Sequence, residues 1–250
     1  MSLHRFYLPP ECWEESNPAL DPADAHHAAD VLRLGVGDSL TIFDGQGREA
    51  SASLTEVTRK RAHLAIGEHR TTLKPGCAIT LAQAVPKGKN MDLVIQKAVE
   101  LGASNLIPLL SERTVVRLEG PGDAARKQER WQSIAVEACK QCGQNWMPKV
   151  GLPRTMKEFF SALPSVDLLL IASLQPHSRS IKEVLNSFAK AHGTLPASVV
   201  ILIGPEGDFT PEEIAQALAG GVVPITLGPI ILRTETAAIY SLSVLGHELF

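Results

Sequence analysis

The sequence predicts an α/β protein whose N-terminal part is a separate, β-rich domain. The first seventy-odd residues read as short strands joined by tight turns, which is typical of a small β-barrel. From Cys77 onward, apolar strand-like runs alternate with helix-like segments, which indicates a layered α/β domain. With a linker expected at 71–76, we predict domains at residues 1–73 and 77–250.

The N-terminal elements follow from local signals. Asp21 and Pro22 supply a helix cap and a proline at the first helical position, so a helix is predicted from there through Leu32. Asp44-Gly45 is a hairpin signal between apolar runs. The strands of this domain are predicted at 5–8, 39–43, near 49–57 and near 61–67.

The elements of the second domain follow from periodicity and from glycine and proline positions. Gly102 and Gly143 end two helices, and Thr210-Pro211 with Glu213 is a capping box with proline at the first helical position. Strands are predicted at 78–84, 106–110, 167–172, 198–203 and 222–227. Helices are predicted at 91–101, 123–142, 180–191, after 210, and at 234–249.

Composition describes an ordinary globular chain, with 44% hydrophobic and 20% charged residues among 250. No apolar run approaches the length that crosses a bilayer, and the first ten residues lack a signal-peptide or transit-peptide pattern. The four cysteines are scattered, which favours reduced thiols. We therefore expect a cytoplasmic protein without a membrane segment.

The charge of the chain is unevenly distributed. Its net charge is −3, yet residues 113–157 carry nine Lys or Arg against four acidic residues, a local charge of +5. Arg59-Lys60-Arg61 forms a second basic cluster. Basic surfaces of this kind suit phosphate contacts, and a solvated helix face is an equally good interpretation.

Two glycine-bearing turns near the C-terminus predict a ligand site. An apolar strand ends in Gly204-Pro205-Glu206-Gly207, and a second ends in Leu227-Gly228-Pro229 ahead of an Ala-rich helix. Glycines let backbone approach a flat ligand, and the turns leave N–H and C=O groups to bond it. Such sites lie beyond the carboxyl ends of strands in α/β sheets.

Two charged side chains stand in these turns. Glu206 lies between glycines, where it could bond a ligand or hold a neighbouring loop, and Arg233 is a lone cation between an apolar strand and an apolar helix. A structural ion pair of Arg233 with Glu206 or Glu235 explains the residues equally well. Dinucleotide, P-loop, zincin and serine-hydrolase motifs are absent.

No metal site is predicted. Cys139 and Cys142 form a CxxC spacing late in a helix, with no second pair, which favours a buried helix end. His26 and His27 lie together on a short helix without a third ligand nearby in the sequence, and we interpret them as surface residues.

The chain resembles the bacterial ribosomal RNA small subunit methyltransferase E family, which belongs to the SPOUT class. The resemblance is carried along nearly the whole chain by these segments: HRFYL, VLRLGVGDSLTIFDGQG, PKGKNMDLVIQKAVELGASNLIPLLSERTVV, RWQSIAVEACKQCGQNWMP, IGPEGDF and LGPIILRTETA. The last two are specific, because two separated motifs agree in order and spacing.

The resemblance implies a PUA-like β-barrel that helps bind RNA, followed by an α/β domain whose C-terminal part forms a trefoil knot. It implies a homodimer, for which the apolar helix 234–249 suits an interface; a core helix within one subunit is the alternative. S-adenosylmethionine is expected in the knot, held by Ser173, Leu174, Ile203, Gly204, Pro205, Glu206, Gly207, Leu227, Gly228, Ile231, Leu232, Thr234, Thr236 and Ala237.

The reaction implied by the resemblance is methylation of uridine N3 in 16S rRNA, at position 1498 of the conventional RNA numbering, within the small ribosomal subunit. Arg233 is expected to stabilise the anion that develops on the base, while Glu206 takes the proton or orients Arg233. The residues expected to contact RNA are Arg5, Arg33, Lys87, Arg113 and Arg117. Another RNA such as tRNA, or RNA binding without catalysis, are the alternatives.

The chain departs from the family pattern at several positions within these motifs. Ile230 stands where a basic residue is common, and Asp208 replaces the usual second glycine after GPEG. Lys89-Asn90 stands where an acidic and then a basic residue are common, and Gln144 stands where arginine is common. These departures concern the RNA contacts rather than the cofactor fold.

Overall fold

A computed structural model describes residues 4–116, 118, 120, 122–175 and 177–250. Their contacts divide the chain into two compact units. Unit 1 comprises Met1–Lys74 and Val136–Met147, and unit 2 comprises Pro75–Ala135 and Pro148–Phe250. The segment Val136–Met147, which lies within residues 77–250, thus packs with the N-terminal residues.

Unit 1 is built on a four-stranded sheet. Its strands are β1 (Arg5–Tyr7), β2 (Ser39–Phe43), β3 (Arg48–Val57) and β4 (Ala62–Thr71), in the order β1-β2-β3-β4. β1 is parallel to β2 and the other pairs are antiparallel, with two register shifts between β3 and β4 that favour curvature. Alternate apolar residues of these strands form a buried core.

A short helix crosses unit 1 between β1 and β2. Helix α1 (Pro22–His26) begins as predicted, because the Asp21 side chain accepts a hydrogen bond from the Asp24 amide and Pro22 is the first helical residue. The chain then continues as a π-helical turn over His27–Val31. The predicted helix is therefore confirmed, but its second half has a wider turn.

Unit 2 alternates strands and helices, as predicted. Its strands are β5 (Ala78–Ala84), β6 (Asn105–Leu110), β7 (Lys149–Val150), β8 (Arg154–Thr155), β9 (Leu168–Ala172), β10 (Arg179–Ser180), β11 (Ser198–Ile203) and β12 (Val223–Thr226). Its helices are α2 (Asn90–Glu100), α3 (Asp123–Cys142, whose end lies in unit 1), α4 (Met156–Ser161), α5 (Ile181–His192), α6 (Pro211–Ala219) and α7 (Thr234–Leu249).

The strands of unit 2 form one sheet in the order β10-β12-β9-β11-β5-β6-β7, with β8 beside β6. Every pairing in it is parallel. β9 and β11 are almost continuously buried, which is typical of strands covered on both faces. Because all strands run the same way, the loops after β9, β11 and β12 open at one edge of the sheet.

Helix α7 packs against α2, α5, β5 and β11, and buries Ala237, Ala238, Leu242 and Leu245 within the subunit. The core-helix alternative therefore accounts for one face of α7. The other face keeps Tyr240 exposed and Ile239 half-buried. No helix of the described residues is long and apolar enough to cross a membrane.

Candidate functional site

A cavity of about 480 Å³ opens at the carboxyl edge of the sheet in unit 2. Its wall is made by the three loops that follow β9, β11 and β12, together with the start of α7. This is the edge at which ligands bind in open parallel sheets, and both glycine-bearing turns contribute to it as predicted.

The predicted cofactor residues converge on this cavity. All of them line it except Thr236, which is exposed one turn into α7. Thr236 lies outside the cavity because its neighbours Thr234 and Ala237 occupy the helix face that points there, so the cavity lends no support to its predicted cofactor contact. Four lining residues were not among the predicted cofactor or catalytic residues: Ala172, Asp208, Thr226 and Ile230. Each lies next to a predicted residue in the sequence or within two positions of one, and this proximity was the available signal.

A buried hydrogen-bond chain joins two walls of the cavity. The Gln83 side-chain amide donates to the Thr234 hydroxyl at 2.9 Å, and this hydroxyl donates to the Gly204 carbonyl at 2.6 Å. Gln83 is fully buried near the end of β5, and Thr234 opens α7. The chain fixes the loop after β11 against the start of α7. Sequence reasoning missed Gln83, which lies 151 positions from Thr234.

The turn after β11 is held by Asp208. Its backbone lies in the left-handed region at φ 60°, its amide donates to the Pro205 carbonyl, and its carboxylate accepts from the Phe209 amide. Glycine adopts this conformation without strain, and Asp is one of the few other residues that tolerate it. The departure from the family pattern at Asp208 therefore preserves the turn.

Gly204 lies where a side chain would be crowded. A Cβ atom there would meet the Asp208 carboxylate at 3.1 Å and the Phe209 ring at 3.3 Å. At the second turn, Gly228 has φ 117° and its amide donates to the Thr226 hydroxyl. Both glycines are thus required by the backbone path of the cavity wall.

The two charged residues of the turns do not pair with each other. Among the residues the structure describes, Arg233 has no ion pair with Glu206 or Glu235, and its exposed side chain lines the cavity. The structural ion-pair alternative is therefore wrong. Glu206 accepts a hydrogen bond at 2.9 Å from the backbone amide of Lys87, so its carboxylate holds the loop after β5.

The residues predicted to contact RNA are placed differently from one another. Arg33, Lys87 and Arg113 are exposed, and Arg113 donates a hydrogen bond to the Gly207 carbonyl beside the cavity. Arg5 is mostly buried, with its guanidinium bonded to Glu49 and Asn145 in unit 1. Arg117 lies outside the described residues.

The two buried cysteines, Cys77 and Cys139, lack the character of reactive thiols. Burial raises the pKa of Cys77 to about 11 and that of Cys139 to about 12, which keeps both thiols protonated at neutral pH. Cys142 is exposed at the helix end, so only one residue of the CxxC spacing is buried. In the described part of the chain, no group of three or more His, Cys, Asp or Glu could hold a metal ion.

The cavity fits S-adenosylmethionine in its size and in the chemistry of its wall. Its turns offer backbone polar groups, which suit the amino acid and ribose parts of that molecule. Leu174, Ile230 and Ile231 line it and are 65%, 73% and 76% exposed, values among the five highest for large apolar side chains of the described residues. An exposed apolar wall of this kind indicates a surface that a ligand or a partner covers.

Two protein-family descriptions match this chain. A family described as an RNA methyltransferase domain matches residues 73–246. A second family, described as an RNA methyltransferase PUA domain, matches residues 20–67.

Individual relatives match over most of the chain. The ribosomal RNA small subunit methyltransferase E of Synechocystis is 34% identical over 96% of this chain and 76% of its own length. That of Bacillus subtilis is 31% identical over 90% of this chain and 88% of its own length.

Two solved structures share the fold along the whole chain. A ribosomal RNA small subunit methyltransferase E from Neisseria gonorrhoeae, bound to S-adenosylmethionine, is 33% identical with a TM-score of 0.83, covering 98% of this chain and 97% of its own. A Legionella pneumophila protein in complex with the cofactor is 34% identical with a TM-score of 0.88, covering 99% and 98%.

Proposed function

The chain belongs to the ribosomal RNA small subunit methyltransferase E family, and from this membership we propose that it methylates uridine N3 in 16S rRNA with S-adenosylmethionine as methyl donor. One observation carries the proposal. The loops after β9, β11 and β12 form a cavity that fits this cofactor, and a relative of the same fold binds it. The target uridine, at position 1498 of the RNA, is taken from the family.

Binding and positioning are the main tasks of the cavity. S-adenosylmethionine supplies an activated methyl group on a sulfonium. The loop at Gly204–Gly207 and the turn at Gly228 offer backbone groups to hold it, and Ile203, Leu232 and Ala237 offer apolar contacts to the adenine. Fixing the donor in line with the attacking nitrogen removes most of the entropic barrier to transfer.

Arg233 is proposed to stabilise the developing negative charge on the base. Loss of the N3 proton to a base or to water would leave a negative charge shared by the uracil oxygens O2 and O4. That charge would be neutralised as the N3–methyl bond forms and the sulfur–methyl bond breaks. Arg233 is an exposed cation on the cavity wall without an ion pair among the described residues. A cation so placed can serve the anion like an oxyanion hole.

Two roles are proposed for Glu206: it holds a loop beside the cavity, or it acts as the base that removes the N3 proton. Its carboxylate already accepts a hydrogen bond from Lys87, so it can hold the loop after β5 in the position that the substrate requires. It also lines the cavity, so a remaining lone pair can take the N3 proton. The substitution Glu206→Gln distinguishes the two roles. The glutamine oxygen can still accept the hydrogen bond from Lys87, but the side chain can no longer act as a base.

The knot, the homodimer and the cytoplasmic location are each proposed from a single observation. A trefoil knot is supported by the path of the chain: after β11 it reaches β12, beyond β9, and then returns as α7 against β5 and β11. A homodimer is supported by the exposed Tyr240 and half-buried Ile239 on the outer face of α7. A cytoplasmic location follows from the rRNA substrate.

RNA binding is proposed for residues 1–73, and cofactor binding and catalysis for residues 77–250. The PUA family match within 20–67 supports the first assignment and the cavity supports the second. Exposed Arg33, Lys87 and Arg113 are the proposed phosphate contacts. Arg5, fixed by Glu49 and Asn145, is proposed to shape the RNA-binding surface of unit 1.

Methyl transfer to small ribosomal subunits tests the proposal. The protein is incubated with labelled S-adenosylmethionine and small subunits from a strain that lacks the modification, and the nucleosides are identified by mass spectrometry. We expect N3-methyluridine in the 16S rRNA. Label in tRNA instead would replace the substrate. Cofactor binding without transfer to either RNA would support a binding role, and the absence of cofactor binding would contradict the enzyme itself.

A further inference from the structure

Unit 1 contains a second cavity, of about 380 Å³, that the proposed reaction does not use. Three segments of unit 1 form its wall: the start of β1, the turn from α1 into the π-helical segment, and the end of α3. The residues that matter for its chemistry are Arg5, Asp24, His27, Glu137, Lys140 and Gln141.

The charges around this cavity are balanced. Arg5 and Lys140 supply two positive charges, and Asp24 and Glu137 supply two negative ones. Lys140 lies 2.6 Å from Asp24 and 2.7 Å from Glu137, so its charge is already shared between two carboxylates. A wall of this kind favours neither a free phosphate nor a metal cation. It suits a neutral ligand that carries both hydrogen-bond donors and acceptors.

The protein does not satisfy the polar groups of this wall by itself. Five buried side-chain nitrogen or oxygen atoms among the described residues have no hydrogen-bond partner, and two of them belong to Arg5 and Asp24. They are a donor, Arg5 Nε, and an acceptor, Asp24 Oδ2. Asp24 as a whole is only 7% exposed. A buried polar group without a partner is costly, so a bound ligand that supplies an acceptor to Arg5 Nε and a donor to Asp24 Oδ2 would be favourable.

An aromatic ring stands at the same cavity. His27 is exposed, and its ring meets the ring of Phe6 edge-on with 6.3 Å between the centroids. His27 begins the π-helical turn, in which the Leu32 amide donates to the His27 carbonyl. π-Turns occur frequently at functional sites because they redirect the side chains around them.

We propose that this cavity binds an unpaired nucleobase of the RNA substrate, stacked on His27 with its hydrogen-bonding edge turned toward Asp24 and Arg5. Every nucleobase is neutral, flat, and carries donors and acceptors along one edge, which is the chemistry that the balanced wall and the two unpartnered groups require. Both atoms are shielded from water in this structure, so the proposal requires side chains of the cavity wall to rearrange when the base enters. The inference rests on the proposed function for the identity of the RNA.

The location of the cavity supports RNA as the source of the base. The match to an RNA methyltransferase PUA domain, over residues 20–67, includes Asp24 and His27. Proteins recognise single-stranded RNA by stacking splayed bases on aromatic rings and bonding their edges. Exposed Arg33, directly after this turn, can contact the adjoining phosphate.

The two adjacent histidines provide a matched test. His27 lines the cavity, whereas His26 does not line it and instead pairs with Asp30. The affinity of the full-length protein is measured by fluorescence anisotropy for labelled single-stranded RNA hexamers of U, A, C and alternating G and U, and for an abasic hexamer with the same backbone. We expect a base-bearing hexamer to bind at least about fivefold tighter than the abasic one, the effect of stacking one base.

His27→Ala should abolish this difference and His26→Ala should leave it intact. Asp24→Asn should also reduce it, since the amide puts a donor where the base needs an acceptor, while the other oxygen can still accept from Lys140. Glu68→Gln, an exposed change on β4 that removes the same charge, should not reduce it. Thermal unfolding confirms that each variant is folded.

The outcomes separate this inference from the proposed reaction. If wild-type protein does not distinguish base-bearing from abasic RNA, or if His27→Ala behaves like His26→Ala, the cavity is not a base site, whatever the methyl-transfer assay gives. If base-dependent binding is present but wild-type protein transfers no methyl group to small subunits, the base site stands and the proposed reaction is wrong.

Discussion

The two cavities of this protein are lined by different kinds of chemical groups. The cavity of unit 2 is walled by glycine and proline turns and apolar side chains, with Arg233 as an unpaired cation among the described residues. The cavity of unit 1 is walled by charged side chains that bond one another, such as Lys140 with Asp24. The first offers backbone shape to a large ligand, and the second offers a hydrogen-bonding edge.

This difference determines how easily each site can be recognised from the sequence. Each backbone turn is formed by consecutive residues, so the turns at Gly204–Gly207 and Leu227–Gly228 can be recognised directly in the sequence. A wall of paired side chains joins distant segments: Lys140 and Asp24 are 116 positions apart.

The largest effect is expected at Arg233. Replacing it with alanine should lower kcat for methyl transfer by about 100-fold or more, as the loss of one group that stabilises a developing anion does elsewhere. S-adenosylmethionine affinity, measured by calorimetry, should persist because backbone and apolar groups supply it. Arg179→Ala, which removes an exposed arginine of β10 outside the cavity, is the control and should retain activity. Normal turnover in Arg233→Ala would exclude the proposed role.

A smaller effect is expected at Thr234, which joins the two cavity walls. Thr234→Val keeps the shape but removes the donor to the Gly204 carbonyl and one of the two acceptors of the Gln83 amide. We expect about 1–3 kcal/mol lower stability in urea unfolding, and about tenfold weaker binding of S-adenosylmethionine. Thr236→Val changes the same residue type on the exposed face of the same helix turn and should alter neither. Equal behaviour of the two variants would show that the hydrogen-bond chain does not position the loop.

Most of the fold could be predicted because its elements have strong local signals. Residues 78–84, 123–142, 198–203 and 234–249 have the predicted bounds, since long apolar periods and caps define them. The short strands β7, β8 and β10 and helix α4 were missed. A two-residue strand has no period, and only its neighbours in the sheet determine it.

The candidate site shows the same limit. The turns at Gly204 and Gly228 were predicted from the residues, but Gln83 was not, because a buried glutamine in a strand has no signal until its partner Thr234 is placed beside it. The ion-pair alternative for Arg233 also required the structure, since sequence spacing does not tell where a long side chain points. In the sequence, His26 and His27 look like equivalent surface residues. In the structure, His27 begins the π-helical turn and lines the cavity, whereas His26 does not line it.

The smallest effect is expected in the pH dependence of unit 1, where two carboxylates respond to their surroundings in opposite ways. Burial raises the pKa of Asp24 above 3.8, against the pull of Lys140. For Glu49, burial acts in the same direction, but the hydrogen bonds from Arg5 and Asn145, together with the charges of Arg5 and Arg70, outweigh it and lower the pKa below 4.5. Carboxyl-carbon NMR titration should therefore place Asp24 above, and Glu49 below, these ordinary values.

The sign of the linked stability change differs between the two groups. As pH falls, folded protein binds a proton at Asp24 before the unfolded chain does, so this group adds stability. Glu49 contributes stability above 4.5 that is lost as pH falls through its lowered pKa. Asp24→Asn should remove the first contribution and leave the second. If Asp24 instead titrates at or below 3.8, its ion pair with Lys140 outweighs the effect of burial.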